Sequence, residues 1–136
     1  MTKPRIGDVW RYHYLWSRQR EAGEREGRKS RPVSVVAITV GRTGETNLFL
    51  LPITSQPPAP DRDAIEIPEI ERRRAGLDDK PLWVMLDEYN HDILERSYHF
   101  EPNARVGSFG ASYHRMILRQ FVLAAKAQRA KRVPRR

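Results

Sequence analysis

Residues 31–54 read RPVSVVAITVGRTGETNLFLLPIT, and this stretch decides the fold. After Pro32, the β-branched run 33–40 is typical of a strand that is buried on both faces. The segment 41–46 is rich in Gly and Thr and predicts a hairpin turn. A third strand is expected over 47–54, where Pro52 favours an edge position or a bulge because proline cannot donate to a sheet.

The chain before this hairpin predicts a strand and then a charged segment. Gly7 and Asp8 form a turn, and residues 9–16 alternate, with aromatic residues on one face, as in a half-buried strand. Those aromatic residues are Trp10, Tyr12, Tyr14 and Trp16. Residues 17–30 are almost all charged or Gly and suit either a solvated loop or a ragged helix; we predict a mobile loop.

Shorter elements are expected after the hairpin. A proline-rich connector covers 55–63, and short strands are predicted at 64–67, 82–87 and 97–100. Pro68 begins a short helix over 69–75 that Gly76 ends. A last helix is predicted from a Ser112 cap to about Arg129, with apolar residues at helical spacing.

Together these elements predict a mainly β, α+β fold. Five or six short strands are too few for two full sheets, so we expect a small, partly open antiparallel barrel with a short helix and a C-terminal helix. A single domain is expected over 1–136, with an ordered core at 6–128 and a disordered basic tail at 129–136.

The charge is concentrated near the C-terminus. The chain has 25 Lys and Arg against 17 Asp and Glu, a formal net charge of +8. Six basic residues follow Leu123, and removing them leaves 19 basic against 17 acidic residues, or +2. The basicity is therefore mostly a property of the tail, and by itself it does not establish a nucleic-acid site in the body.

Composition excludes several classes of protein. The chain has no cysteine, so disulfides, thiolate metal sites and a cysteine nucleophile are ruled out. Its longest apolar runs are far shorter than the roughly 20 residues that span a bilayer. The N-terminal sequence lacks the apolar stretch of a secretory signal, and the four histidines lack metal-ligand spacing. We expect a soluble cytoplasmic protein with no membrane association, no metal and no other cofactor.

Three polar residues fall at predicted strand ends, where side chains converge at one rim of a barrel. They are Arg31, Thr54 and Asp87. An arginine, a hydroxyl and a carboxylate can stabilise a phosphorane, position a phosphate and accept a proton. Structural roles are open for each as well: Arg31 pairs with a loop acid, Thr54 caps a turn, and Asp87 begins an Asx-turn.

The order and spacing of motifs over about residues 6–95 resemble those of the MazF/PemK toxin family. The resemblance is carried by Gly7-Asp8-Val9-Trp10, a charged loop, Arg31-Pro32, Pro52-Ile53-Thr54-Ser55 and Asp87. It implies a dimeric SH3-like barrel that cleaves single-stranded RNA without a metal, by attack of a ribose 2′-hydroxyl on the adjacent phosphorus. It also implies an acidic antitoxin protein as the inhibitory partner.

Residue by residue, the resemblance assigns Arg31 to phosphoryl charge stabilisation, Thr54 to hydrogen bonding of the same group, and Asp87 to the general base. Ser55 is the polar neighbour of Thr54. The arginine that PemK-type members carry two residues before the aspartate is Met85 here. The general acid that this arginine provides in the family is therefore missing, and Arg25 or Arg28, in the charged segment, is expected to serve as the acid or as a phosphate contact.

Two further residues are candidates for RNA contact. Trp16 leads into the charged segment and is the best placed of the three tryptophans to stack on a base. His13 alternates with the aromatic residues and either faces the active rim or serves as a partly buried structural histidine.

Two other functions remain open at the level of sequence. A non-catalytic RNA- or protein-binding barrel is favoured by Met85 and by the unusual first loop, because fold does not fix function. A DNA-binding regulator is disfavoured, because no helix-turn-helix pattern is visible and the long helix needs its apolar face for packing.

Overall fold

The computed structural model describes residues 3–25, 27, 29–127 and 129–135. Its strands are β1 (Asp8–Tyr12), β2 (Arg31–Val40), β3 (Thr46–Thr54), β4 (Ala64–Glu66), β5 (Trp83–Met85), β6 (Glu88–Ile93), β7 (Arg105–Ser108) and β8 (Lys131–Pro134). Its helices are α1 (Ser17–Glu21), α2 (Glu69–Arg74) and α3 (Ala111–Lys126), with a 3₁₀ turn at Leu94–Arg96. The predicted mainly β fold with a C-terminal helix is confirmed. Among the described residues, no helix combines the length and the apolar character needed to cross a bilayer.

The eight described strands form one mixed sheet, in which antiparallel pairs predominate. The main path runs β4-β5-β3-β2-β1-β7, and β6 pairs with β3 and β8. All pairs are antiparallel except β6 with β8, which is parallel. Along this path β4 and β7 are the end strands and are not paired with each other, so the sheet curls without closing strictly into a barrel.

Strand β3 is central, which corrects the edge position that Pro52 suggested. One side of β3 pairs with β2, with Pro52 opposite Val33. The other side pairs first with β6, up to Leu50, and then with β5 from Ile53. Pro52 thus falls where the second partner changes, and a residue without an N–H is tolerated there.

The predicted alternation along β1 is present, but the strand contributes to two hydrophobic clusters rather than to one small core. Trp10, Tyr12, Tyr14 and Trp16 belong to an aromatic cluster with Val33, Leu48 and Phe100. Val9 belongs to the other cluster, which Ile117 and Phe121 of α3 complete. Met116 and Leu123, which the sequence placed on the apolar face of α3, are partly or largely exposed.

Strand β6 replaces the strand predicted at 97–100. Its buried face is polar: Glu88, Asn90 and Asp92 point inward. Asn90 hydrogen-bonds both backbone groups of Leu15, at 2.9 Å and 2.7 Å. The hydrogen-bond partners of these polar side chains include residues of β1, residues that follow β1, and Ser97. Because polar residues occupy its buried face, β6 lacks the apolar alternation by which a strand is recognised in the sequence.

Each of two segments expected to lack structure contains an ordered element. Helix α1 occupies the start of the predicted loop, and its first turn is closed by the Trp16 N–H donating to Gln19 Oε1 at 3.0 Å. Strand β8 lies within the predicted disordered tail. Arg135 follows it, buried, with a guanidinium that stacks 5.1 Å from the Tyr12 ring and donates to Asn90 Oδ1. Both elements, α1 and β8, are stabilised by tertiary contacts that cannot be recognised from a local sequence pattern.

His114, on α3, gives the fold a pH-dependent stability. It is buried against Gly7, and neither ring nitrogen has a hydrogen-bond partner among the described residues. Burial lowers the pKa of His114, so the folded protein resists protonation that the unfolded chain accepts. This contribution is present above the unfolded pKa of about 6.5 and is lost as pH falls through the folded pKa.

We therefore predict that the His114→Leu variant loses less stability than the wild type between neutral and mildly acidic pH. The difference is at most about 1.4 kcal/mol for each pH unit. Urea unfolding of both proteins at neutral and at mildly acidic pH measures this difference in the free energy of unfolding. His13→Leu, which alters an exposed histidine, serves as the control. An equal loss in the wild type and in His114→Leu would contradict this role of the buried ring.

Candidate functional site

The antiparallel register of β2 and β3 brings Arg31 and Thr54 to the same end of the hairpin. Both residues line two neighbouring cavities. One, of about 440 Å³, also contains Ser55, Arg11, Lys29 and Lys80. The other, of about 510 Å³, also contains Trp16, Arg18, Arg62 and Met85. The convergence that the sequence predicts for Arg31 and Thr54 is therefore present.

Asp87 lies in a third cavity rather than beside Arg31. This cavity, of about 290 Å³, is lined by Asp87, Glu88, Arg18 and Arg62, among others. Since Arg18 and Arg62 also line the 510 Å³ cavity, the three cavities adjoin. We call them together the basic groove.

The middle cavity of the basic groove has three arginines in its lining, of which only Arg62 is paired with described carboxylates. Its charged lining residues are Arg18, Arg31 and Arg62, with no acidic residue among them. Arg31 makes no ion pair with a described residue, and its Nε is buried without a hydrogen-bond partner among them. Burial lowers the pKa of Arg31, and the charge of Arg18 lowers it further. Such a cavity favours an anion.

Thr54 serves the local turn and still offers a donor. Its side chain is buried, and its Oγ1 accepts a hydrogen bond from the Gln56 N–H at 3.0 Å. The turn role considered from the sequence is therefore real. Because that bond uses a lone pair, the hydroxyl proton remains available for an oxyanion in the cavity.

Asp87 is held by an arginine that the sequence analysis missed. Arg62 donates to both carboxylate oxygens of Asp87, at 2.6 Å and 2.9 Å, and to Glu88 at 3.2 Å. The Asp87 carboxylate raises the pKa of Arg62. Arg62 lies in the proline-rich connector, on the same cavity wall as Met85. Arg62 therefore brings a guanidinium to the cavity that Met85 of β5 lines, and it comes from another segment of the chain.

Trp16 presents little open surface to a base. Its side chain is 5% exposed and packs edge-on against Tyr14. The guanidinium carbons of Arg18 and Arg31 lie 5.0 Å and 5.1 Å from its ring centroid. The ring is occupied by these cations, which argues against the stacking platform expected from the sequence.

The other predicted RNA contacts do not join this site. Arg25 lines a separate cavity with Arg20, Gly23, Glu24 and Pro134. His13 is exposed, not partly buried, and lines none of the three cavities of the basic groove. Arg28 lies outside the described residues. Within the described part of the chain, no group of three or more His, Asp or Glu residues could hold a metal ion.

No protein-family model matches the chain, and a search of curated proteins finds no significant match. The function is therefore inferred from the geometry of the basic groove and from the motif resemblance.

The Arg62–Asp87 pair is expected to contribute more to stability than an exposed ion pair. Asp87 is 13% exposed and Arg62 31%, whereas the Arg73–Glu69 pair on α2 is 78% and 61% exposed. A double-mutant cycle with Arg62→Gln and Asp87→Asn should give a coupling of about 1 kcal/mol, after allowance for solvent screening. The matched Arg73→Gln and Glu69→Gln cycle should give about 0.3 kcal/mol. Equal couplings would show that Arg62 does not hold Asp87 in solution.

Proposed function

We propose that this protein is a metal-independent endoribonuclease of the MazF/PemK type that cuts single-stranded RNA. The observation that carries the proposal is Arg31, a partly buried guanidinium without a described carboxylate partner, which shares two cavities with the Thr54 hydroxyl. An unneutralised arginine and a hydroxyl donor in one concave site suit a phosphoryl group whose charge rises during the reaction.

The proposed step needs no metal or cofactor, and only water is added to the chain and the RNA. The ribose 2′-oxygen attacks the adjacent phosphorus, the bond from phosphorus to the 5′-oxygen breaks, and a 2′,3′-cyclic phosphate and a 5′-hydroxyl remain. Arg31 stabilises the phosphoryl oxygens and Thr54 donates to one of them. Asp87 takes the 2′-hydroxyl proton, and water protonates the leaving oxygen. DNA lacks the 2′-hydroxyl and is not cut.

Asp87 can act as a base only after Arg62 turns away from it. Arg62 lines both the Asp87 cavity and the middle cavity of the basic groove, so a bound phosphate competes with Asp87 for this guanidinium. Geometry without substrate does not exclude a catalytic base, because catalytic hydrogen bonds often form only in the complex.

The partners proposed for this activity follow from the same groove. An acidic antitoxin segment that folds on binding would neutralise the groove and cover it. We further propose that the protein acts in the cytoplasm as a homodimer, as the family resemblance implies.

A non-catalytic RNA-binding role is the second candidate. The observation that favours it is that Asp87 lines neither of the Arg31 cavities and is held in the neighbouring one by its bidentate pair with Arg62. In that case RNA binds in the basic groove and is released uncut.

Cleavage of a long single-stranded RNA in EDTA distinguishes the two candidates. We predict that the wild type cuts and that Arg31→Ala is at least about 100-fold slower, the scale for removing a charge-stabilising donor. The control is Arg42→Ala, in the turn at the other end of the hairpin, about 30 Å away along β2.

Thermal melting checks that both variants fold. An Arg31→Ala variant that folds and cuts as fast as the wild type would contradict the assignment. Binding without cutting by the wild type would favour the second candidate.

A further inference from the structure

Two guanidinium groups share one indole ring in the basic groove. The Arg18 and Arg31 guanidinium carbons each lie within 5.1 Å of the Trp16 ring centroid, so they are at most twice that distance apart. Cation–π attraction accounts for why each cation lies on the ring. It does not cancel their mutual repulsion, because the ring carries no net charge.

Buried hydrogen bonds on either side of the start of α1 fix the position of Arg18. Arg18 lies in α1, whose start is fixed by the Ser17 N–H donating to buried Glu88 at 2.9 Å. Asn90 fixes the backbone of Leu15, two residues before α1. A five-residue helix with an exposed arginine would otherwise have no preferred place, because isolated short helices are unstable in water.

We propose that Arg18 and Arg31, positioned by Trp16, form a clamp that binds a phosphodiester group of single-stranded nucleic acid. Arg18 is then a second phosphate ligand, and Trp16 is a positioning residue that acts through the two arginines. The assignment deepens the proposed function, on which it rests for the identity of the substrate. It assigns to Arg18 a role that neither the motif resemblance nor the sequence pattern gives it.

The surroundings of the clamp favour a phosphodiester chain over a single carboxylate. A phosphodiester offers two non-bridging oxygens that can each accept from a different guanidinium. The adjoining 440 Å³ cavity adds Arg11, Lys29 and Lys80, against one acidic residue, Asp78, which lies 3.7 Å from Lys80, so the lining beyond Arg31 remains net positive. A polymer with one charge per nucleotide matches a groove with cations spread along it.

Binding of a short fluorescein-labelled single-stranded DNA tests the clamp separately from cleavage, because DNA cannot undergo 2′-hydroxyl attack. Affinity is measured by anisotropy between about 50 and 200 mM salt. Arg18→Gln should weaken binding about ten-fold and reduce the salt slope by about 0.7, the value for one lost contact with a single strand. Arg42→Gln should change neither quantity.

Two further variants separate charge from positioning. Arg18→Lys keeps the charge and should retain the salt slope, but it should bind less tightly than the wild type because it lacks the planar fork. Trp16→Phe keeps both cations and should weaken binding with little change in slope. A residue that only supported the fold would not separate affinity from slope in this way.

Inorganic phosphate provides a second measurement that needs no nucleic acid. Phosphate should raise the melting temperature of the wild type more than that of Arg18→Gln, since a ligand stabilises only the state that binds it. Melting in buffer alone confirms that each variant folds.

The outcomes keep this proposal distinct from the proposed function. DNA binding that depends on Arg18 supports the clamp even if the wild type cuts no RNA, and in that case only the nuclease proposal fails. A folded Arg18→Gln variant with wild-type affinity and slope overturns the clamp. Binding of an acidic polyglutamate peptide through Arg18, with no DNA binding, also overturns it and assigns the pair to a protein partner.

Discussion

The structure depends on strand β3 and the three partners it must satisfy. A central strand has to pair the polar groups of its backbone on both sides, and β3 does so with β2 along one side and with β6 and then β5 along the other. Pro52 marks the exchange of partners, at a position where a missing N–H is tolerated. Beyond this exchange, Thr54 and Arg31 lie at the same open end of the β2–β3 hairpin and line the same two cavities.

The open end keeps a local excess of positive charge that folding alone does not favour. Arg31 is partly buried beside Arg18, and its pKa is lowered by both burial and that second cation. Several arginines outside the middle cavity form ion pairs, among them Arg74 with Glu71 and Arg129 with Asp63. Arg18 and Arg31, by contrast, share the middle cavity, which no acidic residue lines. This contrast is the strongest structural support for the proposal that the cavity binds an anion.

The sequence predicted those parts of the fold that local pattern encodes. The β2–β3 hairpin, its turn and α2 follow from β-branched runs, glycines and proline. The convergence of Arg31 and Thr54 follows from antiparallel pairing of two adjacent strands. Strand β6 escaped prediction because its inward residues Glu88, Asn90 and Asp92 are polar and are satisfied by distant partners. Strand β8 escaped because its short run follows a charged helix end, and its order comes from the free edge of β6.

In the candidate site, too, local patterns could be predicted from the sequence, whereas contacts between distant residues could not. Arg62 and Arg18 reach the basic groove from a proline-rich connector and a five-residue helix, and neither segment has a motif that signals a site. Asp87 was correctly placed near the end of a strand, but its bidentate partner is 25 residues away in sequence. Trp16 was predicted to stack on a base, and the two guanidinium groups that lie over its buried ring were not foreseeable from spacing. Contacts that are distant in sequence determine what each of these side chains can do.

The most direct test of the central claim is the chemistry of the ends left on cut RNA. Mass spectrometry of fragments from a single-stranded RNA, incubated with the protein in EDTA, should show 2′,3′-cyclic phosphate and 5′-hydroxyl ends. A matched substrate with deoxyribose on the 5′ side of each cut should remain intact. Fragments with 5′-phosphate ends, or cutting of the deoxyribose substrate, would contradict attack by the 2′-hydroxyl and the roles assigned to Arg31 and Thr54.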